Sequence, residues 1–177
     1  MIAIGREISP STVQAYHQGE IRTLVLEELR GKWLVLMFYP GDFTFVCPTE
    51  LAELARLYPE FVTLGAEVCG VSTDSVYVHK AWHDSSPMVR TVEFPLIADS
   101  TGALSREFGV YLEEEGVALR GTFLIDPDGV LRAYEVHDNS IGRYIGETLR
   151  KLQAAIRVRE GEGEACPANW QPGQPTL

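Results

Sequence analysis

The chain has 177 residues, enough for one domain that buries roughly 70% of its unfolded surface without metal or disulfide staples. Its formal charge of −10 repels nucleic acid and anionic membranes, which excludes both as partners. No apolar run approaches the roughly 20 residues of a membrane span, and Met1-Ile2-Ala3-Ile4-Gly5-Arg6 lacks the apolar core of a signal peptide. The chain is therefore read as cytoplasmic. Its three cysteines point in that compartment to catalysis or redox sensing rather than to a structural disulfide framework.

Residues 12–16 and 19–23, on either side of His17-Gln18, predict an opening hairpin, and Leu26-Glu27-Glu28-Leu29 one helical turn. Leu34-Val35-Leu36-Met37-Phe38-Tyr39 is an unbroken apolar run, the pattern of a strand buried on both faces. Pro40-Gly41 stops that strand. After a short loop, Cys47 precedes Pro48 and a helix-forming run with the apolar stripe Leu51, Leu54, Leu57 and Tyr58. Proline favours the first helical position, so Cys47 falls at or next to the helix N-cap, where free N–H groups and the helix dipole favour a thiolate. The plainer reading of Cys47 is a small apolar filler. Thr44 upstream, the stiffening Pro40 and Pro48, and Glu50 in the first turn argue for sulfur chemistry instead.

Residues 66–72 predict a second strand, with Cys69 packed inside it as an inert thiol. Residues 75–84 predict a helix with His79 and His83 at i, i+4. A metal could use that spacing, yet the glutamate of a zinc-protease motif is missing, so packed or solvated histidines are preferred. A short strand ends near Asp99, and a short helix spans 102–108. Two extended runs, 118–126 and 130–136, flank the hairpin signal Pro127-Asp128-Gly129. Asn139 or Ser140 is expected to cap a last helix with the stripe Ile141, Ile145, Leu149, Leu152 and Ile156. The chain thus divides into a domain over 1–157 and a tail over 158–177, rich in Gly and Pro, that carries Cys166 and is mobile unless docked. Alternating strands and helices imply an α/β architecture.

Phe38-Tyr39-Pro40, Asp42-Phe43-Thr44-Phe45-Val46-Cys47-Pro48-Thr49-Glu50 and Gly163-Glu164-Ala165-Cys166-Pro167-Ala168-Asn169-Trp170 resemble the two cysteine motifs of the typical two-cysteine peroxiredoxins, alkyl hydroperoxide reductase C type. Gly70-Val71-Ser72-Thr73-Asp74-Ser75, His79-Lys80-Ala81-Trp82-His83 and Arg120-Gly121-Thr122-Phe123-Leu124-Ile125-Asp126 fall between them in that family's order, so the likeness spans nearly the whole chain. The resemblance implies a thioredoxin-like fold with a central mixed β-sheet and flanking helices. It implies a peroxidase in which Cys47 attacks a hydroperoxide and becomes a sulfenic acid. Thr44 and Arg120 would orient the peroxide, and Arg120 with the helix N-terminus would favour the thiolate. Pro40 would shield the sulfenic acid, Glu50 would hold Arg120, and Arg143 matches a second arginine of the family.

A thioredoxin carries its second cysteine where this chain has Glu50, so a local dithiol cannot form. The resemblance assigns the resolving role to Cys166, across the subunits of a dimer, with dimers assembling into a ring of five. It further implies an external dithiol reductant, a flavoprotein disulfide reductase or a thioredoxin-type protein, and no cofactor or metal. A thioredoxin-fold disulfide reductase and a noncatalytic holdase are the other classes considered. The Gly-Gly-Leu-Gly loop and the C-terminal Tyr-Phe helix of peroxide-sensitive members are both missing. Residues 88–94 and a tail with Pro172 and Pro175 stand in those regions, which implies resistance to over-oxidation.

Overall fold

The computed structural model describes residues 2–161 and 163–177. Strands β1 (Thr12–His17) and β2 (Glu20–Val25) form the opening hairpin, slightly longer than its apolar pattern suggests. Its two-residue turn places Gln18 at φ 51° and Gly19 at φ 89°, the mirror-image turn whose twist suits a hairpin. A 3-10 turn at Leu26–Leu29 leads into β3 (Trp33–Phe38), every residue of which is buried. Helix α1 (Cys47–Thr63) follows, then β4 (Ala66–Ser72), α2 (Val76–Ser85), β5 (Leu96–Ala98) and α3 (Ala103–Glu107). A small ribbon, β6 (Tyr111–Leu112) with β7 (Val117–Ala118), precedes the long hairpin β8 (Arg120–Ile125) and β9 (Leu131–His137). Helix α4 (Ile145–Glu160) comes last.

The main sheet has seven strands in the order β2-β1-β5-β4-β3-β8-β9, with β3 parallel to β4 and antiparallel to β8. This is the mixed sheet with flanking helices expected of a thioredoxin-like fold. Side chains alternate across β3 as the pleat requires. Trp33, Val35 and Met37 join Leu51, Leu54 and Phe61 of α1 and Leu149 and Leu152 of α4. Leu34, Leu36 and Phe38 face the opposite layer with Leu26, Leu104 and Phe108. Each such burial is worth about 1.5–3 kcal/mol, so β3 is a rigid platform and the loop leaving it starts from a fixed point. Cys69 on β4 is buried in the second layer, and burial pushes its thiol well above the ordinary value, as expected of an inert packing residue.

One expectation is corrected. The last helix does not start at Asn139 or Ser140. Ser140 donates its N–H and hydroxyl back to Asp138, Ile141 is exposed, and helical residues begin only at Ile145 with no side-chain cap. The reason lies outside the segment: Glu50 binds both the N–H and the guanidinium of Arg143, which keeps this stretch out of the helix. The later part of the stripe holds, with Ile145, Leu149 and Leu152 buried and Ile156 packed against them.

The tail, expected to be mobile unless docked, is docked. Helix α4 runs to Glu160, beyond the expected break at 157, and residues 163–177 fold back onto it; Glu162 lies outside the described residues. Ala165 and Leu177 exchange backbone hydrogen bonds of 3.0 and 2.9 Å. Trp170 is only 4% exposed, and Arg150 of α4 donates to its carbonyl at 2.9 Å. No helix among the described residues is long and apolar enough to cross a membrane.

Candidate active site

The loop from Pro40 to Val46 carries the chain from the C-terminal end of β3 to α1. Val46 is the N-cap, Cys47 the first helical residue, and Pro48 the second. Cys47 therefore sits where the first helical N–H groups are unpaired and the dipole is positive. It is fully buried, on the floor of a cleft of about 560 Å³ whose walls include Pro40, Thr44, Asp74, Glu115, Arg120 and Asn139.

Sheet register explains how a residue 73 positions away reaches this sulfur. Met37 pairs with Thr122 in the antiparallel β3–β8 ladder. Arg120, two residues earlier on β8, thus lies beside the point where β3 gives way to the loop. Its Nη1 donates to Cys47 Sγ at 3.3 Å and to Glu50 Oε2 at 2.9 Å, while Nε donates to the Asn139 carbonyl at 3.0 Å.

Glu50 follows Cys47 by three residues and so shares its face of α1. It is buried, with both oxygens occupied. Oε1 accepts from Arg143 N at 2.8 Å and Nε at 2.9 Å, and Oε2 from Arg143 Nη2 at 2.7 Å. Arg143 Nη1 completes its set on the Gly121 carbonyl and Thr122 Oγ1. Burial alone would raise the Glu50 carboxyl; the hydrogen bonds and charge of Arg143, then the charge of Arg120, outweigh it and hold the group below its ordinary 4.5. Two guanidinium charges less one carboxylate leave the cluster one positive charge, directed at the sulfur.

Cys47, Thr44, Pro40, Arg120, Glu50 and Arg143 are thus brought together. Thr44 is exposed at the mouth of the cleft, its hydroxyl donating to the Gly41 carbonyl at 2.9 Å. Cys166 is not among them: it lies half-buried against α4 with Ala154 O at 3.8 Å, and all three cysteines are free. His79 and His83 take different partners. His79 meets Asp42 and the Ile97 carbonyl, and His83 meets Tyr16 and the Val92 carbonyl. Asp42 and the Asn139 carbonyl were not singled out from the sequence. The first carried a signal, a charged residue in a largely apolar motif; a backbone carbonyl carries none.

The model of the AhpC/TSA family matches residues 4–134, and that of the C-terminal domain of 1-Cys peroxiredoxin matches residues 155–177. The second stretch includes Cys166 in this chain. Alkyl hydroperoxide reductase C of Pseudomonas aeruginosa is 49% identical over 177 residues, covering 100% of this chain and 95% of that protein. Among solved structures, Enterococcus faecalis AhpC superposes with a TM-score of 0.91 at 41% identity, covering 94% of this chain and 100% of that one. The reduced 2-Cys peroxiredoxin of Plasmodium vivax also reaches 0.91, at 34% identity, covering 98% and 91%. With a buried cysteine at a helix start, an arginine on its sulfur and full-length likeness to these proteins, the chain belongs to the AhpC/TSA family of peroxiredoxins, thiol-dependent peroxidases built on the thioredoxin-like fold.

Proposed function

We propose that Cys47 is the peroxidatic residue and that the pair Cys47 Sγ–Arg120 Nη1, at 3.3 Å on the floor of the cleft, is the reacting centre. The sulfur attacks the terminal oxygen of hydrogen peroxide or an alkyl hydroperoxide. An S–O bond forms and the O–O bond breaks, sulfur losing two electrons to the peroxide. The leaving oxygen departs as water or alcohol once it gains a proton, and Cys47 is left as sulfenic acid. Arg120 and the Thr44 hydroxyl border the space the peroxide must enter, so they bind it and stabilise charge on the leaving oxygen. Pro40 walls the sulfenic acid from water. Glu50, pinned by Arg143, keeps Arg120 aimed.

Cys166 then condenses with the sulfenic acid, releasing water and forming a disulfide. A dithiol protein, flavoprotein reductase or thioredoxin-type, returns both sulfurs to thiols by exchange. Cys47 is buried and Cys166 lies on α4 outside the cleft, so the first turn of α1 must unwind before the sulfurs meet. The bridge runs between two subunits. A dimer contact is supported by β9, an outer strand of the sheet with Tyr134 and Val136 exposed. A second contact is supported by Phe43, Phe45 and Tyr77, exposed by 59%, 95% and 72%. Two distinct contacts per subunit are what a ring of five dimers requires. The enzyme works in the cytoplasm, where its cysteines stay reducible.

The test is mass spectrometry of the thiols after one equivalent of peroxide, with a non-reducing gel alongside. Wild type gives a Cys47–Cys166 peptide and a covalent dimer, both absent in Cys166→Ser. Peroxide turnover by Cys47→Ser, or an oxidised wild type running wholly as monomer, refutes the corresponding part of the reading.

A further inference from the structure

The loop before Cys47 is tied down by a hydrogen-bonded chain that the peroxide chemistry does not use. Asp42 and His79 meet through Oδ2 and Nδ1 at 2.7 Å, and both side chains are 0% exposed. Tyr39, the residue that follows β3, donates its hydroxyl to Asp42 Oδ1 at 2.8 Å. Asp42 N donates to Asp74 Oδ2 at 2.8 Å. On the far side, His79 Nε2 reaches the Ile97 carbonyl of β5 at 3.1 Å. A carbonyl only accepts, so Nε2 carries hydrogen. The Asp42–Nδ1 contact then needs one further proton, shared by a pair that is neutral as a whole. A buried pair of this kind is costly to separate in place, because each partner would be left unsatisfied.

Immediately beyond Asp42 the backbone is forced. Phe43 has φ 55°, a left-handed conformation unfavourable for a residue with a side chain, and its ring lies 6.1 Å from Trp82, one turn beyond His79 on α2. Helix α2 thus holds both the fixed point and the strained residue of the loop. From Asp42 to Cys47 is five residues of chain, so with Asp42 fixed the sulfur can travel at most roughly 17 Å from that anchor.

We propose that Asp42 and His79 form a latch between the Cys47 loop and α2. It sets how readily the loop opens after Cys47 is oxidised, and hence the partition between disulfide and sulfinic acid. The proposal rests on the peroxidatic role of Cys47. Both are positioning residues that act through the loop. While the latch is closed, the loop's excursions are restricted and the sulfenic acid spends longer in the cleft, where it can meet a second hydroperoxide; its sulfur loses two more electrons, becomes sulfinic acid, and another water or alcohol is released. Once the latch opens, the loop relaxes its strained residue and Cys47 can reach Cys166.

The test compares Asp42→Ala and Asp42→Asn by the peroxide concentration at which half of Cys47 becomes sulfinic during turnover, read by mass spectrometry. Asp42→Ala removes the contacts to Tyr39 and His79, and the half-point rises roughly ten- to a hundredfold. Asp42→Asn keeps them, its Oδ1 accepting from Tyr39 and its Nδ2 donating to a neutral His79, and the half-point stays within about threefold of wild type. A purely structural role would move thermal unfolding without moving this partition. If Asp42→Ala fails to fold, Tyr39→Phe, which deletes only one hydroxyl, gives a smaller rise of a few-fold. An unchanged or lower half-point in a folded Asp42→Ala or Tyr39→Phe overturns the latch. Wild type in which peroxide produces neither a sulfenic acid nor a disulfide at Cys47 overturns the peroxidatic assignment instead.

Discussion

Glu50 and Arg143 stand 93 residues apart in the chain and are joined by a backbone N–H and two side-chain donors inside the protein. Their union ties the first turn of α1 to the segment that enters α4. Glu50 Oε2, which accepts from Arg143 Nη2, also accepts from Arg120, whose remaining contacts are the sulfur and the Asn139 carbonyl.

Glu50→Gln should therefore cost both stability and rate. Breaking a buried ion pair from one side typically costs about 3–5 kcal/mol, since the remaining charges lose their partner. Urea unfolding should show a loss of that order. Peroxide oxidation of Cys47, followed by stopped flow, should slow by at least roughly tenfold, because about 1.4 kcal/mol of misplaced Arg120 suffices for that factor.

The same carboxyl predicts an acid-sensitive fold. Its folded value lies below the ordinary 4.5, so from 4.5 downward the unfolded chain binds the extra proton. The stability contributed by Glu50 is full above that pH and is lost as pH falls through the folded value. Asp42 has the opposite sign, since burial, only partly offset by His79, raises it above 3.8, and its contribution is lost as pH rises through the raised value. Urea midpoints measured from pH 6 to 3 should fall less steeply for Glu50→Gln than for wild type.

Cys69→Ser should separate packing from chemistry. The thiol is 1% exposed and kept protonated by burial, so it takes no part in turnover. A buried hydroxyl among apolar side chains costs about 1–3 kcal/mol, visible in the urea midpoint, while peroxidase activity stays close to wild type. Iodoacetamide should leave Cys69 unmodified in the native protein.

Trp170→Ala should release the tail. The indole is 4% exposed, and its Nε1 donates to the Gln174 carbonyl at 3.1 Å. Without it, amides of residues 163–177 should lose protection in hydrogen exchange and Cys166 should alkylate faster. Oxidation of Cys47 by peroxide should stay within about twofold of wild type, since that step needs no tail.

Turnover should persist at millimolar-order peroxide. Among the described residues no helix follows Glu160, and residues 88–94 hold only the short 3-10 turn Val89–Thr91. Neither region supplies a lid over the first turn of α1. Mass spectrometry during turnover should find Cys47 mainly as disulfide, and rapid sulfinic acid accumulation would refute this.

Most of this site was legible because its parts are local. The apolar run ending in Tyr39, the Pro40-Gly41 stop and Cys47-Pro48 each act through neighbouring backbone, so strand, loop and helix start could be read in order. Arg120 could be placed only by resemblance, since its reach to Cys47 depends on pairing β3 with β8 across distant sequence. The start of α4 was misjudged for the same reason. Asn139 and Ser140 are good caps locally, but Glu50 holds Arg143 from elsewhere and delays the helix to Ile145. The tail has the composition of a mobile segment, yet Trp170 and Arg150 supply anchors that composition does not register.

Because Cys47 has no accessible surface in the closed form, a bulky alkylating reagent can modify it only in molecules that have opened. A maleimide thus works as a stopwatch for the loop. At saturating reagent its modification rate equals the opening rate itself. A series of probes of graded size would then sort entry through the cleft from entry through an unwound helix. Cys166, already half-exposed, serves as the internal reference in the same digest.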